Sequence, residues 1–127
     1  MPRATIVKEE FAERNMRFFA IYIETRNAVL AFFSEAEDKL GTLAASVPPT
    51  NGVQVHSPPS SVLLGDRNTT TARMLAEHLA TKTGKIGLVS IYLKTVSETE
   101  ANPVLMKLFE KVTAKHKSER SGERIRT

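Results

Sequence analysis

The sequence predicts a single α+β domain, an antiparallel sheet with two flanking helices. Three observations predict it. Arg17 to Glu24 and Ala28 to Ser34 are dense in β-branched and aromatic residues around Thr25-Arg26-Asn27, a connection of hairpin length. Ala72 to Gly84 carries apolar residues at helical spacing and runs directly into the apolar segment Ile86 to Leu93. A second helical pattern, Leu105, Leu108, Phe109 and Val112, follows Asn102-Pro103. With 127 residues and 41% hydrophobic content the chain can bury one core and has no room for a second.

In chain order, residues 1 to 15 mix Ile6, Val7 and Phe11 with Lys8, Glu9, Glu10, Glu13 and Arg14, a pattern open to a short strand or a helical turn. The pair Arg17 to Glu24 and Ala28 to Ser34 is read as a hairpin. A polar turn from Glu35 to Lys39 reaches Gly41, and Thr42 to Val47 makes a third strand. Pro48-Pro49-Thr50-Asn51-Gly52 and Ser57-Pro58-Pro59 frame a long loop interrupted by Val53-Gln54-Val55. Leu63-Leu64 ends a further strand at a Gly65-Asp66 corner. Thr69, Thr70 or Thr71 is expected to cap the first helix, and Gly84 to end it. Its stripe is Ala72, Leu75, Ala76 and Leu79, with Arg73, Glu77 and Lys82 outside. Asn102 is read as the cap of the second helix, with Pro103 at its first position. The folded domain is expected to span residues 1–115, and the Lys-, Arg-, Ser- and Gly-rich residues 116–127 to form a disordered basic tail.

The sequence pI of about 9.6 raises a nucleic-acid reading, which the placement of charge weakens. From Lys115 to Thr127 five Lys or Arg stand against two Glu, a net of +3 out of the total +4. The rest of the chain is nearly neutral and mixed, whereas nucleic-acid surfaces concentrate basic groups on one face. The tail residues Lys115, His116, Lys117, Arg120, Arg124 and Arg126 would suit acidic protein, RNA or import machinery, or serve only to solubilise. With no cysteine there is no disulfide, no thiolate metal site and no thiol nucleophile. Met1-Pro2-Arg3 leads into no apolar stretch of signal length, so a cytoplasmic or nuclear location is the expectation, with no membrane span.

Catalytic and metal chemistry find little support. His56, His78 and His116 lie in the Pro-rich loop, on a helix and in the tail, without a second ligand at metal spacing, and are expected to be solvated. No serine sits in a Gly-x-Ser-x-Gly elbow. Gly84-Lys85 follows a helix and precedes a strand, the reverse of a phosphate-binding loop, and is a helix stop. Asn68-Thr69-Thr70 matches a glycosylation sequon, inert outside the secretory pathway. No catalytic, metal or cofactor residue is assigned.

The sheet carries more apolar surface than two helices can cover. With Arg26-Asn27 as a two-residue turn, Phe19, Ile21, Ile23, Leu30 and Phe32 share one face, an aliphatic set suited to lying under helices. Phe18, Ala20, Tyr22, Val29, Ala31 and Phe33 share the other. Ile86 to Leu93 divides likewise, Val89, Ile91 and Leu93 against Leu88, Ser90 and Tyr92. Two helices of about 10 Å diameter cover about four strands at ~4.8 Å spacing, which leaves a second face. Tyrosine is enriched at protein interfaces, so Phe18, Tyr22, Val29, Phe33, Ser90 and Tyr92 are taken as the partner-binding set. The competing reading folds the Pro-rich loop and the N-terminal segment over that face.

Leu63-Leu64-Gly65-Asp66, Thr69-Thr70-Thr71, the Leu-Ala-x-x-Leu-Ala run at Leu75 to Ala80, Lys82-Thr83-Gly84-Lys85 and Val89-Ser90-x-x-Leu93 come in one order and spacing. In this the chain resembles the proteasome assembly chaperone 4 family, from about Arg17 to Val112. The resemblance implies an antiparallel sheet of about six strands with flanking helices, and no enzyme activity or cofactor. It implies a heterodimer with a chaperone 3-like subunit that holds proteasome alpha subunits, chiefly the fifth, during 20S alpha-ring assembly and then leaves. Leu64, Gly65, Asp66 and Gly84 would be structural signature positions. The Pro-rich loop and the basic tail depart from the family pattern. The alternatives are another small protein-binding adaptor, a small-molecule enzyme needing a pocket with convergent polar groups, and a nucleic-acid module.

Overall fold

The computed structural model describes residues 5–13, 16–48 and 59–125, so His56 and most of the Pro-rich loop lie outside the described residues. In chain order the elements are β1 (Thr5–Glu13), β2 (Met16–Glu24), β3 (Ala28–Glu35), β4 (Thr42–Ser46), β5 (Ser60–Leu64), α1 (Thr69–Thr83), β6 (Ile86–Tyr92) and α2 (Glu98–Ile125). The strands form one six-stranded sheet in the order β1-β2-β3-β6-β4-β5. The α+β class and the two flanking helices stand, but the sheet is mixed: β3 and β6 are parallel and the other neighbours antiparallel. The cause is the crossover. β5 and β6 are both antiparallel to β4, so α1 carries the chain over β4 and inserts β6 beside β3.

The hairpin register is the expected one, with Ile23 opposite Leu30 and the Thr25 amide donating to the Ala28 carbonyl at 2.8 Å. The expected division of faces holds for β2 and β3, with the helices on the opposite side from the expected one. β6 is turned over relative to the expectation: Leu88, Ser90 and Tyr92 share the face of Leu30 and Phe32, and Val89 and Ile91 that of Ala31 and Phe33. Phe18, Tyr22, Val29 and Phe33, proposed from sequence as partner-binding, are core residues with at most 3% of their surface exposed. Phe19, Ile21, Ile23, Leu30 and Phe32 are half-buried on the uncovered side. The physical reason is size. The helix-side face interleaves Ala20, Ala31 and Ala44 with Phe18 and Phe33, and the helices meet it with Ala72, Ala76, Ala80 and Ala101, all fully buried or nearly so. Small residues on both surfaces let backbones approach while the large ones interdigitate. At Gly87 the approach is limiting, since a Cβ there would stand 2.7 Å from the Ala76 carbonyl oxygen and 3.0 Å from the Ala80 nitrogen.

Phe109 of α2 binds the layers together. Its ring lies 6.3 Å from that of Phe33 and 5.2 Å from His78 of α1, with the Lys82 ammonium 5.9 Å from its centre. His78 is otherwise exposed, as expected.

The helix starts differ from the sequence reading. α1 begins after Asn68, which is left-handed at φ 61° and makes no side-chain cap. The capping acceptor comes from α2: Glu98 Oε1 accepts from the Thr71 amide at 3.0 Å and from the Thr71 hydroxyl, which also stands 3.0 Å from Asn102 Oδ1. Asn102 is thus inside α2. The cap of α2 is Ser97, whose hydroxyl accepts from the Glu100 amide at 3.2 Å and donates to the Glu100 carboxylate at 3.2 Å. Ser97 and Glu100 have the spacing of a capping box. Pro103 lies in the second turn of the helix. α2 also continues past Lys115 to Ile125, since Lys, Arg and Glu sustain a helix once it is nucleated. Gly84 ends α1 as expected, at φ 70° with its N–H on the Ala80 carbonyl.

A candidate protein-docking face

The Pro-rich loop expected as a competing cover lies outside the described residues. Among the described residues no element covers the side of the sheet opposite the helices, an apolar surface with a charged margin. Phe19, Ile21 and Ile23 of β2, Leu30 and Phe32 of β3, and Leu88 and Tyr92 of β6 are all half-buried on it, with Leu43 of β4 beside them and Ile6 of β1 58% exposed. Pairing aligns these side chains in rows: Ile6 with Ile23, Ile23 with Leu30, and Leu30 with Leu88. Monomer surfaces seldom hold so continuous an apolar patch without a binding role.

Along the end where β2 starts and β3 stops, charges close the patch. Arg17 donates to Glu10 Oε1 at 2.8 Å and lies 5.4 Å from the centre of the Phe19 ring. Lys39 pairs with Glu37 Oε1 at 3.4 Å and stands 5.4 Å from the Tyr92 ring centre. An apolar centre with aromatic groups and a polar rim is the usual anatomy of a protein interface.

Of the six residues proposed from sequence as partner-binding, only Ser90 and Tyr92 lie on this face. Ser90 is fully buried, and its hydroxyl accepts from the Gly41 amide at 2.9 Å, which pins the loop between β3 and β4. Tyr92 is the one that presents surface. The residues that sequence reasoning passed over as a docking set are Phe19, Ile21, Ile23, Leu30, Phe32 and Leu88. Their alternation was legible; the side taken by the helices was not.

The corner at Leu64, Gly65 and Asp66 lies at this same end of the sheet, where β3 stops, on its β5 edge and beside Thr42 and Tyr92. Leu64 is exposed at the end of β5 and Gly65 has φ 88°. The Asp66 side chain is exposed, and the contact that holds the corner is the Thr42 hydroxyl donating to the Arg67 carbonyl, not an aspartate turn.

Three buried titratable side chains, Glu35, Glu24 and His116, are structural. Glu35 is 5% exposed and accepts from the amides of Lys94 and Thr95, each at 2.9 Å, and of Val96 at 3.0 Å, as well as from the Thr95 hydroxyl. Burial alone would raise its pKa, but these hydrogen bonds from the Thr95 side chain and the three amides together bring it below the ordinary 4.5. Glu24 lies between Lys85 Nζ at 2.9 Å and His116 Nε2 at 3.1 Å, and His116 packs on Tyr22 with ring centres 4.8 Å apart. His116, expected in a solvated tail, is 5% exposed. Its signal was local, since it falls at the helical spacing that continues Phe109 and Val112. Lys115 is likewise engaged, donating to the Lys8 carbonyl at 3.1 Å, while Lys111 reaches the Glu10 carbonyl at 3.4 Å. These lysines occupy carbonyls of edge strand β1 and help to blunt it.

Among the described residues no three His, Cys, Asp or Glu stand together in a way that could hold a metal ion, and no helix is long and apolar enough to cross a membrane.

Neither a protein-family model nor a curated protein matches the sequence. Among solved structures the chain is similar to one described as the crystal structure of a novel chaperone complex for yeast 20S proteasome assembly. The superposition gives a TM-score of 0.66 at 11% identity and covers 91% of this chain and 97% of that one. The two share a fold. At this identity the likeness extends no further than architecture.

Proposed function

We propose that this chain is a non-catalytic proteasome assembly chaperone that works as one half of a pair. The observation that carries the reading is the uncovered apolar face of Phe19, Ile21, Ile23, Leu30, Phe32, Leu88 and Tyr92, set in a fold shared with a chain of a proteasome-assembly chaperone complex. The pair would form with a related small subunit resembling proteasome assembly chaperone 3. Covering the face needs an interface of ordinary size, about 800 Å² per partner. The heterodimer would hold proteasome alpha subunits, chiefly the fifth, during alpha-ring assembly in the cytoplasm or nucleus, and leave before the mature particle is complete.

The core chemistry fits a binding role. Glu35, Glu24, Lys85 and His116 all make contacts that hold one element to another, and none is needed at the apolar face. Purification of the tagged full chain from its own cells, followed by mass spectrometry, checks the reading. The expected result is stoichiometric recovery of one small chaperone together with alpha subunits, and little of the complete 20S particle. Recovery with mature proteasomes in full stoichiometry, or with no proteasome subunit at all, would contradict it.

A further inference from the structure

One corner of the uncovered face is concave. It is lined by Ile21, Phe32 and Ser34 of the sheet and by Asp38, Lys39 and Leu40 of the loop between β3 and β4. The cavity measures about 280 Å³. That is smaller than the ~300–1,000 Å³ of sites for drug-sized ligands and suits one inserted side chain.

The cavity is held open by its own loop. Ser34 Oγ accepts from the Lys39 amide at 3.4 Å, the Ser90 hydroxyl holds the Gly41 amide at 2.9 Å, and Ala36 takes φ 70° to make the turn. Leu40 is 57% exposed at the lip although its neighbours on both sides are anchored. An apolar residue kept exposed on a pinned loop beside a cavity lined by Ile21 and Phe32 is arranged as half of a contact.

The rim charges give the other half. On this margin Arg17 pairs with Glu10, and Lys39 pairs with Glu37 and faces the Tyr92 ring. Asp38, exposed at the lip, is in none of these pairs, which leaves the corner one negative charge in excess.

From this we infer that the corner is the anchor point of the docking face, and that its occupant is a partner segment presenting one leucine-sized apolar side chain directly beside a lysine or arginine. The apolar group fills the cavity between Ile21, Phe32 and Leu40, and the cation meets Asp38. The inference rests on the reading of this face as a pairing surface and adds to it the chemistry of the partner's central residue.

The test uses two capped dipeptides, acetyl-leucyl-lysine amide and acetyl-leucyl-glutamate amide, titrated into the full chain with methyl-labelled isoleucine and leucine followed by NMR. Saturable shifts largest at Ile21 and Leu40 are expected, with the basic dipeptide favoured about threefold, as an exposed ion pair supplies. Asp38→Asn should abolish that preference while leaving the leucine-driven shifts, and 0.5 M salt should do the same. Shifts that are absent, that spread evenly over the sheet, or that show equal affinity for the two dipeptides would overturn the anchor. If Phe32→Lys prevents pairing with the co-purified chaperone while the dipeptides ignore the cavity, the anchor fails and the pairing surface stands. If the dipeptides behave as expected but no chaperone pairs with the chain, the pairing reading fails and the corner remains a site for a basic apolar segment.

Discussion

Replacing Glu35 with alanine should lower the unfolding free energy by about 3 kcal/mol, because it removes a charged acceptor from three backbone amides and a hydroxyl at once. These donors belong to Lys94, Thr95 and Val96, the turn that delivers the chain from β6 to the Ser97 cap of α2. The glutamate at the end of β3 therefore fixes where α2 begins. Loss of that anchor also loosens Glu98, which caps α1 from the first residue of α2. The effect has a defined pH dependence. The folded-state pKa of Glu35 lies below the ordinary 4.5, so its ionisation contributes stability above that value, and the contribution is lost as pH falls through the folded-state pKa. Urea denaturation of the wild type and Glu35→Gln at a series of pH values checks this: the gap between them should be full at pH 7 and shrink below about pH 4.5. A gap that grew on acidification would contradict the account of the site.

Gly65→Val should cost roughly 3 kcal/mol, from two separate causes. The residue has φ 88°, which a β-branched side chain strongly disfavours. A Cβ would also stand 2.5 Å from Thr42 Oγ1 and 2.9 Å from Thr42 Cα, displacing the hydroxyl that holds the Arg67 carbonyl. Asp66→Asn should change stability by less than about 0.5 kcal/mol, since that side chain is exposed and the corner is held by Thr42. Thermal melts of the two variants separate these roles. Equal destabilisation by both would show that the carboxylate, and not the glycine, holds the corner.

What was legible in the sequence was local. The hairpin register followed from the two-residue Arg26-Asn27 turn, α1 from its apolar spacing and Gly84, and the two-sided apolar character of the sheet from strict alternation. β1 was ambiguous because its helix-side positions Val7, Glu9 and Phe11 include a glutamate, which takes part in ion pairs with Lys111 and Lys115 of α2. Ser97 and Glu100 carry the start signal of α2, but Asn102-Pro103 is an equally good local start signal, and local rules do not choose between them. The choice of covered face could not be read from hydrophobicity, because both faces are apolar. It depends on the crossover through α1 and on the small residues Ala20, Ala31, Ala44 and Gly87 opposite the alanines of the helices. That reversal explains why Phe18, Tyr22, Val29 and Phe33 are core residues, while the parallel pairing of β6 with β3 places Ser90 and Tyr92 on the face opposite them. Glu35, Glu98 and His116 act across elements far apart in sequence, and no spacing rule identifies such partners.

On the reading proposed above, the open sheet face is the surface through which this chain pairs. The most direct measurement is the molar mass, by light scattering during size exclusion, of the chain co-expressed with the small chaperone recovered from its own cells. The wild type should elute as a one-to-one heterodimer. Phe32→Lys, in a side chain on the open face, should leave the melting temperature within a few degrees and yield two separate monomers. A heterodimer that survives Phe32→Lys and Leu88→Lys together, or a wild-type chain that stays monomeric beside that chaperone, would contradict it.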